Sequence, residues 1–499
     1  MAGQATASRV DGSVSPDDPD LADLTLEDAA DDGRGWRRPT INQVGLLAMV
    51  VLGLRAGLAP LADNSFMTHL ATGRLILGDG AIPRSDPYSW SAPGEAWTVQ
   101  SWLASVVYGA ADRTVGLLGI RLISGLCFMV LIGLLWHLTR PGESLVGRLF
   151  PLGLAVAVGT GQWVERPLLF GAVFLVLTIC AAQGDFDPRW MVPIMWLWVN
   201  MHGSFPLGVG FLVLVAAGRW LDDRDRPEVE VRALAWALVG LALAMVNPLG
   251  PGLLFFPLSM LENREAFAMI AEWQPPEWSQ PIQWIFGLQL VATVTVVATR
   301  YRRWRAILPL VAFGAAAVMS ARNIGPASLV LTPILARGLQ GVGTIDGDRR
   351  PPVLRPIAAA LVALGVLVVA TSVLSPNTAL DRYPEDAVTW MRSNDLLDVD
   401  DRVVSRDYVG NYLEARYGPD EVRVFIDDRV DMYPIDVVLD YHELTLDDGD
   451  FAEVLEGNGA TAVLWDRDST LGRWLRDSPA WEIVHQDDDW LVAVPEVAP

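Results

Sequence analysis

Lysine is absent from this chain of 499 residues, so each of its 37 strongly basic side chains is an arginine. That absence reads as a bias of genome composition, and the abundant aspartate as the mark of a saline habitat; neither bears on mechanism. Cysteine occurs only as Cys127 and Cys180, both inside apolar runs. Such placement excludes a thiolate metal cluster with the required ligand spacing and argues against a disulfide. Both read as small core residues. No glycine-rich phosphate loop follows any expected strand of the C-terminal part, which excludes a nucleotide-binding domain there. No internal repeat of fixed period is present. The arginines are outnumbered by 59 acidic residues, for a net charge of −22. Nucleic acid is thereby excluded as a partner, since nothing here would neutralise a phosphate backbone.

What the chain has in abundance is apolar surface. It is 52% hydrophobic with a mean hydropathy of +0.31, well beyond a soluble protein of this size. Runs such as NQVGLLAMVVLGL and PIAAALVALGVLVVATSVL carry no charge. About 20 apolar residues cross ~30 Å of hydrocarbon, so the fold class is a polytopic α-helical membrane protein. Candidate spans fall at 42–61, 115–138, 147–161, 167–184, 190–201, 204–220, 231–248, 281–299, 304–320, 324–340 and 353–374, about 11 transmembrane helices. Residues 1–40 are acidic and poor in aromatics, an expected disordered cytoplasmic tail. They do not read as a cleaved leader. Residues 41–374 form the transmembrane domain, with a large first exterior loop at 62–98.

Beyond residue 374 the apolar runs shrink to strand length: RVVS, VRVFID, TAVLWD and WLVAVP. Helical patterns (EDAVTWMRSN, DFAEVLEGN, STLGRWLRDS) lie between them, which predicts a C-terminal α/β domain over 375–499.

Orientation follows from the arginines. With the N-terminus in the cytoplasm, Arg140, Arg148, Arg189, Arg219, Arg224, Arg226, Arg232, the run RYRRWR and Arg349, Arg350 and Arg355 all lie inside, as the positive-inside rule requires. An odd number of spans then makes the C-terminal domain extracytoplasmic. The same topology puts outside the mixed polar clusters ADNSFMTHLATGRLILGDGAIPRSDPYSW (62–90), QWVERP, NMHG, NPLG with EWQPPEW, and SARN. Ionisable groups at the membrane edge are costly and usually face a cavity or a partner, so five clusters on one face point to a single site open to the exterior.

Taken singly, each cluster has an ordinary explanation. Asp63 would serve as a helix cap. His69 and Arg74, on an amphipathic segment of about three turns, would sit at headgroup level. Arg166 would be an interfacial anchor, NPLG and EWQPP turn chemistry, and Arg322 and Asn323 helix-end caps. Together they describe a different chemistry. A carboxylate near the bilayer surface suits a general base acting on an acceptor hydroxyl, and arginine binds phosphate through its fork of donors. Outside the cell no nucleotide sugar is at hand, so a leaving group must arrive on a lipid; a polyprenyl-phosphate-linked sugar fits.

A first helix followed by an Asp-bearing exterior loop, juxtamembrane amphipathic helices, some eleven helices and an exterior C-terminal domain resembles the GT-C class of membrane glycosyltransferases. That class includes protein O-mannosyltransferases and aminoarabinose transferases. The segments HLATGRLIL, GAIPRSDPYSW, NMHGSFPLG, NPLG…EWQPPEW and VFIDDRVDMYP look like those of bacterial multi-spanning proteins described as predicted glycosyltransferases, over most of the chain after residue 40. The resemblance implies that Asp63 is the catalytic base or acceptor-orienting group. Many members carry two adjacent acidic residues there, whereas Asn64 follows Asp63 here. An amide is a weak metal ligand, so a divalent metal is left open and no metal-binding residue is assigned.

The expectation is transfer of a sugar from the lipid carrier to a glycan, lipid or protein acceptor of the cell envelope. Asp63 is the catalytic candidate; Arg166 and Arg322 hold the carrier phosphate; His69, Arg74, Asp86, His202 and Glu272 complete the substrate site. VFIDDRVDMYP, with GNYL beside it, reads as acceptor recognition or lid packing, or as a salt-bridged strand end. Two rivals remain. One is a non-catalytic envelope assembly protein of the same fold. The other is a lipid-carrier transporter or flippase, which requires polar groups near the bilayer midplane and broken helices in matching halves.

Overall fold

The computed structural model describes residues 38–262, 267, 269–343 and 345–496. The expected disordered tail lies, up to residue 37, outside the described residues.

Helix α1 (Ile41–Gly57) starts on a capping box. Gln43 N–H donates to Thr40 Oγ1 at 3.1 Å and Thr40 N–H to the Gln43 side chain at 2.8 Å, which satisfies donors that a helix start leaves orphaned. Then follow α2 (Ser65–Asp79) and α3 (Trp102–Val115), the second of which the apolar pattern did not announce. The bundle continues with α4 (Leu117–Leu138), α5 (Leu145–Gln162), α6 (Leu168–Gln183), α7 (Met191–Met201), α8 (Phe205–Asp223) and α9 (Glu228–Leu243). It closes with α10 (Gly252–Glu262), α11 (Pro281–Thr299), α12 (Trp304–Met319), α13 (Ile324–Gly338) and α14 (Leu354–Leu374). A helix lies on every apolar segment marked in the sequence, although α1 and α9 end short of the marked limits, at Gly57 and Leu243. Five of them, α4, α5, α8, α11 and α14, are long and apolar enough to cross a membrane; α1, α6 and α12 are shorter apolar helices.

Burial sorts these helices by role. α13 is hemmed in by α5, α11 and α12 and held by polar bonds inside the bundle. The Gln289 side chain donates to Ser328 O and Thr332 Oγ1, both at 3.0 Å, and Ser328 Oγ returns a bond to Gln289 Oε1 at 2.6 Å. Such bonds join helices where apolar surface is no driving force. α14, by contrast, leaves Val362, Val366, Leu367, Val373 and Leu374 exposed, the surface of a helix that faces lipid.

After α14 come α15 (Glu385–Ser393), β1 (Val403–Ser405), α16 (Asp407–Tyr417), α17 (Ile435–Glu443), α18 (Phe451–Gly457), β2 (Ala462–Asp466), α19 (Thr470–Asp477), β3 (Trp481–Gln486) and β4 (Trp490–Pro495). The sheet order is β1-β2-β4-β3, with β1 and β2 parallel and the other pairs antiparallel. One expected strand is not in it. VRVFID runs extended, but pairs with the first loop: Val424 N–H donates to Tyr88 O and Trp90 N–H to Val424 O, both at 3.0 Å. Its apolar side chains are buried between the loop and the sheet layer, so a strand-like pattern marks burial on both sides here rather than sheet membership.

Two ties fix this α/β region on the bundle. Leu61 bridges Thr378, joining the exit of α1 to the segment after α14. Beneath that bridge Arg121 of α4, 1% exposed, donates to Leu58 O at 2.6 Å, Ser375 Oγ at 3.0 Å and Asn377 Oδ1 at 3.1 Å. The second tie is Arg429. Its Nη1 lies 2.7 Å from Asp86 Oδ1 of the first loop, and its Nε donates to Asp427 Oδ1 at 2.8 Å. The guanidinium packs over the rings of Tyr88 and Trp97. Burial pushes the neighbouring Glu414 carboxyl well above the usual carboxylate range, with Asp427 adding to the push. Burial acts the same way on Asp427, but the Arg429 guanidinium overrides it and holds Asp427 low.

Removing one member of a buried ion cluster strands a charge and costs about 3–5 kcal/mol. Asp86→Ala is therefore expected to lower stability by about that amount and to expose the α/β region to protease. Thermal unfolding and limited proteolysis of the purified protein check this; a variant that melts with the wild type would contradict it.

Candidate functional site

The site is built where α1 ends. Asp63 Oδ1 accepts the Ser65 N–H at 3.0 Å; the cap position of α2 is Asn64, so Asp63 is not the helix cap. The same oxygen accepts Arg166 Nε at 2.7 Å, and Arg166 Nη1 lies 2.6 Å from Glu272 Oε1. Burial alone would weaken the Arg166 charge. Asp63 and then Glu272 override it and hold the guanidinium above its ordinary value. Next to Arg166, Glu165 Oε1 accepts the backbone N–H of Asp63 at 3.0 Å and that of Ala62. QWVERP thus grips the Asp63 segment by both main chain and side chain.

α2 is held in place by α3. Gly73 and Gly109 face each other where the two helices cross, and a Cβ on either would collide with the backbone of the other. The close approach brings His69 Nδ1 within 3.0 Å of Ser105 Oγ. Burial pushes the His69 imidazole down to about 4; Asp63 opposes the shift and Arg166 adds to it. His202 follows α7, its Nδ1 accepting the Ser204 N–H at 3.1 Å. It too is held well below its usual value by burial, then by Arg322 and His69.

The remaining wall joins two further segments. Ala321 N–H donates to Gln274 O at 2.9 Å and Ser320 Oγ to Glu272 O at 3.2 Å, so EWQ docks on SAR and carries Glu272 to Arg322. The Arg322 guanidinium lies 5.0 Å from the centre of the Trp273 ring and forms no ion pair within 4 Å with any described carboxylate. From the α/β region come Asp428 and Asp431. Thr68 Oγ1 donates to Asp428 Oδ1 at 3.0 Å, and Asp428 N–H donates to Asn411 Oδ1 at 3.1 Å. GNYL does lie beside VFIDDRVDMYP.

Together these groups enclose a cavity of about 770 Å³. Its bundle side presents His69, Arg166, His202, Glu272 and Arg322; its other side presents Asp407, Asp428, Asp431 and His442. Asp63 stands behind Arg166, 10% exposed. Arg74 and Asp86 are placed elsewhere. Arg74 bonds Asp112 at 2.8 Å and Ala415 O at 2.6 Å, and Asp86 belongs to the Arg429 cluster. NPLG forms a turn, closed by the Asn247 side chain on Ala244 O and Gly250 O. Glu165, Gln100 and Asn323 were not singled out as site residues; Glu165 and Asn323 lie in motifs whose neighbours Arg166 and Arg322 were.

Around Asp63 the donor set does not suit a divalent cation. Its bound oxygen is committed to Arg166 and Ser65, and among the described residues no group of three His, Cys, Asp or Glu side chains gathers to hold a metal.

No family model matches the chain, and no curated protein matches it in sequence. Among solved structures the chain is similar to glycosyl-transferring enzymes. One is the archaeal oligosaccharyltransferase AglB of Archaeoglobus fulgidus, solved with an inhibitory peptide and a dolichol-phosphate. It shares 12% identity over 84% of this chain and 69% of its own, with a TM-score of 0.48. Another is the mycobacterial arabinofuranosyltransferase AftD, at 15% identity over 90% of this chain, with a TM-score of 0.48. The match spans 41% of the length of AftD.

A histidine lowered to about 4 is neutral throughout the physiological range and charges only below it. In a pH titration of ring-labelled protein, the His69 resonance is expected to stay flat from neutral pH down to about 5. A midpoint near its ordinary value would contradict the buried, cation-flanked setting.

Proposed function

We propose that the chain is a membrane glycosyltransferase of the GT-C class, moving a sugar from a polyprenyl-phosphate carrier to an extracytoplasmic acceptor. In this reading the bundle has about eleven spans, the N-terminus is cytoplasmic and the C-terminal α/β domain is outside. One observation carries it: the cavity at the loop end of an apolar bundle, lined by Arg166 and Arg322 from the bundle and by Asp428 and Asp431 from the α/β region.

The chemistry follows from the charges. Arg166 is already neutralised by Asp63 and Glu272, whereas Arg322 forms no ion pair among the described residues. Burial pulls the Arg322 guanidinium below its ordinary value; Glu272 opposes the shift and Arg166 reinforces it. An arriving phosphate would reverse that imbalance, because a guanidinium meets phosphate through charge-assisted bonds. Arg322 is therefore the clamp for the carrier phosphate, with Arg166 its neighbour. The leaving phosphate gains charge as the sugar–oxygen bond breaks, so a fixed cation there stabilises the transition state more than the ground state. His69, neutral, serves as a hydrogen-bonding group rather than a second cation. Asp63 has two roles open to it, proton acceptor or the group that sets Arg166 and the acceptor in place. The gathering of polar groups at one end supports transfer over transport.

Arg322→Met is expected to reduce both transfer and binding of polyprenyl monophosphate by roughly 10- to 100-fold, the loss of one charge-assisted contact. Membranes supplied with labelled lipid-linked sugar provide the assay. Asp63→Asn in the same assay should cut transfer, and undiminished transfer would remove Asp63 from the mechanism. Since no step here passes through a metal, transfer should persist in EDTA. Activity lost in chelator and restored by a divalent cation would overturn that part of the reading.

A further inference from the structure

We infer that the carboxylate taking the acceptor's proton is Asp428, contributed by the α/β region, and that Asp63 acts as a positioning residue through Arg166. The assignment rests on the glycosyl-transfer reading above and names a catalytic group within it.

Three features of the geometry lead there. Asp428 lines the cavity directly, while the bound oxygen of Asp63 faces Arg166 and the start of α2. Asp428 is fixed from both ends, its carboxylate by Thr68 Oγ1 and its main chain by Asn411 Oδ1. A base needs such fixing to meet a hydroxyl at hydrogen-bond distance. Finally, Arg166 and Arg322 line the same cavity as Asp428, so an acceptor bound there has its hydroxyl toward Asp428 and the sugar's reacting carbon toward Arg322.

The step balances with the groups named. The acceptor O–H proton passes to Asp428 as the acceptor oxygen bonds to the anomeric carbon. The bond from that carbon to the phosphate oxygen breaks, and its electron pair leaves with the polyprenyl phosphate held by Arg322. Asp428 then returns its proton to water.

The charges facing Asp428 agree with this use. Thr68 and Ser65 on α2, Arg166 on the loop before α6, Arg322 at the start of α13, Tyr383 before α15 and Asp427 next to it all bear on this carboxylate. Burial, then Asp427, pushes it up to about 6, against the pull of the Ser65 and Thr68 bonds and Arg166. At neutral pH it is ionised and still basic enough to accept a proton. Transfer should fall as pH drops through that value.

The test compares purified wild type, Asp428→Asn and Thr68→Val, assayed for transfer of labelled lipid-linked sugar across pH and for binding of polyprenyl monophosphate alone. Asp428→Asn should lose transfer by about 100-fold or more with phosphate binding unchanged. Thr68→Val, which removes a donor that stabilises the charged carboxylate, should move the acid limb of the pH profile upward. Asp428→Asn within about threefold of wild type, or an acid limb unmoved in Thr68→Val, overturns the assignment. Asp428→Asn that loses transfer and phosphate binding together is a folding or docking defect and also overturns it as a base. If wild type neither binds polyprenyl monophosphate nor transfers sugar, the glycosyl-transfer reading itself falls, and this assignment with it.

Discussion

Arg429 is a cation with almost no water, 6% exposed, and the docking of the α/β region on the first loop rests on it. Its fork reaches Asp86 of the first loop and Asp427 of the α/β region, and its flat faces pack on Tyr88 and Trp97. A buried pair of this kind is a weak source of net stability, because desolvation offsets the attraction. Its strength is specificity: few other arrangements of two chain segments satisfy a buried guanidinium. Asp428 is the next residue along the chain from Asp427, so the contact that docks the region also aims Asp428 at the cavity. Arg429 thus links a packing problem to a chemical one.

The bundle solves the complementary problem of holding cations at the edge of an apolar medium. Arg166 is anchored by carboxylates on either side, while Arg322 is supported by the Trp273 ring and the SAR–EWQ contact. One cation is therefore paired twice, while the other meets no described carboxylate within 4 Å. The histidines nearby stay neutral because burial and these cations both oppose their charging, which leaves them able to accept as well as donate hydrogen bonds.

Much of the helical architecture was legible because hydropathy over whole spans is a strong signal. The positions of α4, α11 and α14 follow from apolar runs alone, and the three helical patterns of the C-terminal part match α15, α18 and α19. The site was legible in part. Arg166, Glu272, Arg322, His69 and His202 were marked as polar groups in the wrong place, and the fold brings them to one cavity. Asp86 and Arg74 were marked by the same criterion yet are used in packing, since a sequence shows that a charge is present but not whether another charge meets it. VRVFID shows the other limit. Burial on both sides looks alike whether a segment's neighbours are sheet strands or a loop from residues 88–90, and only the long-range pairing decides. Likewise, nothing near Asp427, Asp428 and Arg429 in sequence tells which of the two carboxylates is tied up.

The bridge between Leu61 and Thr378 has a consequence for how the protein is made. The residue two places before Asp63 emerges early in synthesis, and the residue that pairs with it emerges only after α14. Domains form from the N-terminus onward as the chain grows, yet here the first loop waits for the segment after α14. Until then Asp63, Asn64 and α2 have one side of their cavity missing. Completion of the site therefore waits for residues that follow α14, and a product that stops at α14, even one with every apolar helix inserted, is built without half of its pocket.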